Sequence, residues 1–108
     1  MARYMSLFTF TGEALSRLVA NPQDREAAVR AMIEGLGGTL ETYYVMFGQY
    51  DGFVVFEAPD STAAASGAVL AGASGAFSHI ETNEVLTSNQ FMEVLQKAKG
   101  GSFRAPGT

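Results

Sequence analysis

Five residues, Gly48-Gln49-Tyr50-Asp51-Gly52, separate two runs that each read as a β-strand, residues 39–47 before them and residues 53–58 after. Asp51-Gly52 at such a junction predicts a tight type I′ hairpin, because both central positions of that turn need positive φ. The two runs are thereby committed to antiparallel pairing. Every other segment has to be arranged around that pair.

Residues 3–10 alternate loosely and are rich in Tyr, Phe, Met and Leu, which predicts a first strand. Thr11 reads as an N-cap with Glu13 in the first helical turn, where an acid suits the helix dipole. Asn21-Pro22 interrupts, and Asn21 capping a helix that begins at Pro22 fits the local rules. In that helix Ala28, Val29, Met32, Ile33 and Leu36 share one face, with Arg25, Glu26, Arg30 and Glu34 mostly outside. Gly37-Gly38 stops it. Asp60 caps a further helix over residues 61–74, whose line of Ala64, Ala68, Ala71 and Gly75 allows close approach to a sheet. Residues 76–86 predict a fourth strand. Thr87 to Gln90 is a capping-box pattern opening a last helix that Gly100-Gly101 ends. The order β-α-β-β-α-β predicts an α+β, ferredoxin-like antiparallel sheet with helices on one face and an added C-terminal helix. One domain over residues 1–99 and a tail over 100–108 are expected.

Strict alternation divides the strands into two apolar faces. Tyr4, Phe8 and Phe10 oppose Met5 and Leu7; Tyr43, Val45 and Phe47 oppose Leu40, Tyr44 and Met46; Phe53 and Val55 oppose Val54 and Phe56. A sheet with one wet face should alternate apolar with polar instead. Helices cover only one face, so a second copy of the chain is expected on the other, giving a homo-oligomer.

Composition limits the function classes. The net charge is −4 and the seven Lys and Arg are scattered, which argues against nucleic acid and anionic membranes as partners. There is no cysteine, so disulfides and thiolate chemistry are excluded, and a reducing, cytoplasmic setting is expected. Residues 61–80 lack charge and are long enough to cross a bilayer, but Ala, Ser and Gly dominate them, and they are read as a small-residue helix packed on the sheet. The N-terminus shows no apolar block followed by a cleavage site, so no signal peptide is read there.

Few side chains carry candidate chemistry. Asp51 is read as a turn residue that bonds nearby backbone N–H groups, or else as a general acid or base beside Tyr50. His79 is the sole histidine and shares a strand face with Glu81; it is a surface or interface histidine with a hydrogen-bond partner, or else a proton carrier. Tyr4, Tyr43 and Tyr44 are core aromatics or the lining of a pocket between sheets. No metal set is read, because one histidine with scattered carboxylates is too few ligands. No cofactor is expected either: the glycines at 35, 37 and 38 follow a helix, whereas a phosphate loop follows a strand.

The sequence resembles the GYD-domain family. The matching pieces are Phe8-Thr9-Phe10-Thr11, Leu36-Gly37-Gly38, Tyr43 and Tyr44, Gly48-Gln49-Tyr50-Asp51, Glu57-Ala58-Pro59-Asp60 and the Ala-rich second helix, in that order. The resemblance implies the dimeric α/β-barrel arrangement, in which two ferredoxin-like sheets face each other. It implies no particular activity; wider relatives include cofactor-free monooxygenases, lactone isomerases, haem-dependent enzymes and ligand-sensing regulatory domains. Three readings follow. The first is a homo-oligomer binding a small, partly apolar molecule between sheets. The second is a cofactor-free oxygenase or isomerase of small aromatic or lactone-like compounds, using Asp51 or His79. The third is an assembly module without ligand.

Overall fold

The structure, a computed structural model, describes residues 1–107; Thr108, the end of the expected tail, lies outside the described residues. The elements run β1 (Ala2–Phe10), α1 (Gly12–Ala20), α2 (Glu26–Gly35), β2 (Thr39–Val45), β3 (Gly52–Ala58), α3 (Ser61–Ala73), β4 (Phe77–Val85) and α4 (Ser88–Lys99). The sheet order is β2-β3-β1-β4, antiparallel throughout, so the two central strands are flanked by the two that close each βαβ half. This is the ferredoxin-like arrangement expected from the element order.

Local chemistry sets most boundaries. Thr11, Asp60 and Thr87 each accept a backbone N–H three residues on, and Thr87 with Gln90 completes a reciprocal capping box. The α2 terminus is a Schellman closure. Gly38 donates to Ile33 O at 2.9 Å and Gly37 to Glu34 O at 3.0 Å, and Gly37 takes a φ of +86°.

Three expectations are corrected. First, α2 begins at Glu26 and not at Pro22: Asn21 closes α1 by donating to Arg17 O, and Asp24 Oδ1 accepts the Glu26 N–H at 2.9 Å. Second, the β2–β3 connection is no type I′ turn. Gly52 is the first residue of β3 with no positive φ, and the left-handed residue is Gly48. A Cβ on Gly52 would lie 2.4 Å from Phe8 Cζ and 2.6 Å from Tyr44 O, so close packing under the strand is what requires glycine there. Third, an irregularity between Leu40 and Thr42 shifts the β2 register, so Leu40 opposes Phe56 and Tyr43 opposes Val54. Leu40 and Tyr43 therefore face the helices together, and Tyr44 faces the other way. Strict alternation fails wherever a bulge inserts one residue.

The helix-side core comprises Tyr4, Phe8, Ile33, Leu40, Val54, Phe56, Ala58 and Ala64. Only Ile33 and Ala64 come from helices; α1 and α4 bury no residue completely. On the opposite face Met5, Leu7, Phe53 and Val55, each partly buried, form an apolar strip on which no helix among the described residues packs extensively, with Tyr44 packed on Phe53 at a ring-centroid distance of 5.6 Å. Arg3 bonds Glu41 (2.7 Å) and Glu57 (3.1 Å) at one end of that strip. α4 makes no extensive contact with the rest of the chain and leaves Phe91, Met92, Val94 and Leu95 about half exposed. The long axis is accordingly 58 Å, and the radius of gyration of 17.3 Å exceeds the ~13 Å of a compact chain this long.

No helix among the described residues is long and apolar enough to cross a membrane.

Candidate functional site

A cavity of about 500 Å³ separates the helices from the sheet, within the range of small-ligand sites. Its origin is compositional. Gly67, Ala68 and Ala71 of α3 line it with little or no side chain to fill the space, and a Cβ on Gly67 would face Leu36 and Met32 at 3.5 and 3.9 Å. Ala64, one turn earlier, does touch the sheet and is buried. Close approach thus occurs at one end of α3, and a gap opens at the other.

The floor of the cavity is aromatic. Phe8 meets Phe10 and Phe77 edge-to-face at 5.3 and 5.4 Å, Phe10 stacks on Phe77 at 5.5 Å, and Tyr43 lies 6.2 Å from Phe8. Val29, Met32 and Ile33 of α2 form the opposite wall. The polar lining is sparse: Ser6, Arg17, Gln23, Arg25, Tyr43 and Ser74. Ser6 is already hydrogen-bonded to Thr82 at 2.7 Å. Burial pushes the Tyr43 phenol above its ordinary pKa; Arg25 pulls it down, and Asp24 and Glu26 push it up.

The side chains singled out in the sequence fall into three places. Tyr50, His79 and Glu81 come together on the open face, at the end of the sheet opposite Arg3. The Tyr50 hydroxyl is 3.5 Å from Glu81 Oε1, His79 Nε2 is 4.0 Å from the same oxygen, and the Tyr50 and His79 rings are 6.1 Å apart. Asn83 Nδ2 donates to Glu81 Oε2 at 3.4 Å. His79 and Glu81 are about half exposed. Tyr44 is on this face too, but on the far edge strand. Tyr4 and Tyr43 are on the helix side. Tyr4 is buried and stacked on Phe56 at 5.6 Å; burial, then the Glu84 carboxylate, raises its pKa.

Asp51 joins neither group. Its Oδ2 accepts the Phe10 N–H at 2.9 Å and its own N–H donates to Phe8 O at 2.8 Å, so both of its polar ends hold the β2–β3 loop to β1. No group of three or more potential metal ligands gathers among the described residues.

Arg25 and Gln23 are the cavity residues that sequence reasoning missed, because the helical pattern placed Arg25 on the outer face. One signal was available. Arg17 has Glu13 four residues before it and Arg30 has Glu26, and both pairs form. Arg25 has Asn21 and Val29 at those spacings.

The strand order and one-sided helices define a ferredoxin-like α+β domain. A solved structure titled "crystal structure of FFRP-DM1" shares this fold, with a TM-score of 0.51 at 15% identity over 80% of this chain and 100% of that one. The sequence matches the GYD domain over residues 4–95, and the chain belongs to that family. No match was found among curated proteins.

Proposed function

We propose that this GYD domain binds a small, partly apolar molecule in the cavity between its helices and its sheet, and works as a homo-oligomer joined through the open sheet face. The observation that carries the reading is the cavity itself: about 500 Å³, floored by aromatic rings, with few polar groups. Small-ligand sites are clefts of this size, lined mostly by apolar and aromatic side chains with a few polar groups. Its position differs from the expectation of a pocket between sheets. A ligand seated there lies in a half-open cleft built by one chain.

The oligomer reading rests on the uncovered strip of Met5, Leu7, Phe53 and Val55, an apolar patch of the kind that monomers rarely display. The lack of cysteine fits a reducing, cytoplasmic setting. A cofactor-free oxygenase or isomerase draws no support from the geometry. Asp51 is engaged by backbone, and His79 lies on the face opposite the cavity. A ligand-free assembly module should fill the space between facing sheets completely, and it leaves the cavity behind the sheet without an occupant.

Native mass spectrometry of the purified chain tests the reading. The expected result is two or more subunits carrying small-molecule mass that is released on denaturation. A single bare subunit at micromolar concentration would contradict both parts.

A further inference from the structure

The cavity's polar lining is one-sided in charge. The chain carries eleven Asp and Glu against seven Lys and Arg, yet no Asp or Glu lines the cavity among the described residues, whereas Arg17 and Arg25 do. Those two differ. Arg17 is paired with Glu13 along α1. Arg25 forms no ion pair among the described residues; its Nη1 donates only to Gln23 Oε1, at 2.9 Å. The acids adjacent to Arg25 in sequence have hydrogen-bond partners of their own, Asp24 Oδ1 with the Glu26 N–H at 2.9 Å and Glu26 Oε2 with Arg30 at 2.8 Å, although both carboxylates are close enough to the Tyr43 hydroxyl to raise its pKa.

Accepting the cavity as the ligand site, we propose that its ligand is an apolar carboxylate, a flat aromatic acid above all, whose anionic head is held at the cavity mouth by Arg25 with Gln23 and the Tyr43 hydroxyl. A planar guanidinium presents paired N–H donors that match a carboxylate's two oxygens. The Gln23 amide and the Tyr43 hydroxyl add neutral donors. Behind them Phe8, Phe10 and Phe77 offer ring edges and faces to an aromatic body. A neutral ligand of the same shape would gain the rings and leave the charge unused, and a cation would be repelled.

Calorimetric titration of the full chain with 2-naphthoate and with the neutral, nearly isosteric 2-naphthamide tests the class. The expected result is that naphthoate binds about tenfold more tightly, the equivalent of one charge-assisted hydrogen bond at a partly solvated site. Arg25→Gln should narrow that ratio to within about threefold, and Arg25→Lys should restore part of it, since Lys keeps the charge without the fork. Circular dichroism confirms that both variants fold. Equal affinity of the wild-type chain for the two probes would overturn the anion assignment while leaving the cavity reading intact. A naphthoate preference that survives Arg25→Gln would overturn it as well. Binding of neither probe would overturn the cavity reading and this inference with it.

Discussion

The Asp51 carboxylate accepts the backbone N–H of Phe10 at 2.9 Å, two residues past Phe8, the point where β1 stops pairing with β3. A side chain thus continues a ladder that the backbone has left. Asp51→Ala should lower stability by about 1–2 kcal/mol, because a half-buried N–H loses a charged acceptor. Asp51→Asn keeps an acceptor oxygen at the same place and should cost under about half of that. Urea denaturation of the two variants checks the order. Equal losses would show that the charge matters and the hydrogen bond does not.

Two glycines should respond in opposite directions. Gly52→Ala drives a methyl group into Tyr44 O and the Phe8 ring and should destabilise by about 1–3 kcal/mol. Gly72, inside α3, has nothing within 4 Å of an added Cβ and no positive φ. Gly72→Ala should stabilise by about 0.5–1 kcal/mol, by lowering the entropy of the unfolded chain. Thermal unfolding separates them by sign.

How far these relationships could be read from the sequence depended on distance along the chain. The caps at Thr11, Asp60 and Thr87 and the stop at Gly37 were legible, because each is decided within four residues. The strand order followed from the alternation of element types, and the apolar open face from Met5, Leu7, Phe53 and Val55. The β2 register was not legible, since the irregularity after Leu40 has no Gly or Pro to mark it. The hairpin was misread for a related reason: Gly52 answers to Phe8, which is 44 residues away, and not to its own turn. The cavity was least legible of all. The alanine stripe of α3 was visible, but whether small residues close a gap or leave one depends on how the other helices stand on the sheet.

Adjacent residues of β3 should separate folding from assembly. Val54 is 6% exposed on the helix side, and Val55 faces the open strip. Val54→Asp should unfold the chain, since an unpaired buried carboxylate costs several kcal/mol. Val55→Asp should leave the circular dichroism spectrum unchanged and reduce the proposed homo-oligomer to a monomer, as read by size-exclusion chromatography with light scattering.

Alkaline pH should weaken the fold through Tyr4 and Tyr43. Both phenols have pKa values raised above the ordinary 10.0, chiefly by burial. A group whose folded pKa is raised holds its proton more tightly in the native state. Its contribution is therefore complete below pH 10 and is lost as pH rises through the higher, folded value. Urea midpoints should fall between pH 9.5 and pH 11 in the wild-type chain, and less steeply in a Tyr4→Phe, Tyr43→Phe double variant that still folds. Equal slopes would show that the loss originates elsewhere.

The central claim, that the ligand site lies between helices and sheet, is tested most directly by methyl NMR during titration with 2-naphthoate. The two faces of the sheet carry different reporters: Val29, Met32, Val54 and Ile80 line the cavity, while Met5, Leu7 and Val55 lie on the open strip. Saturable shifts confined to the first set are the predicted result. Shifts confined to the second set would place the ligand between sheets and contradict the account.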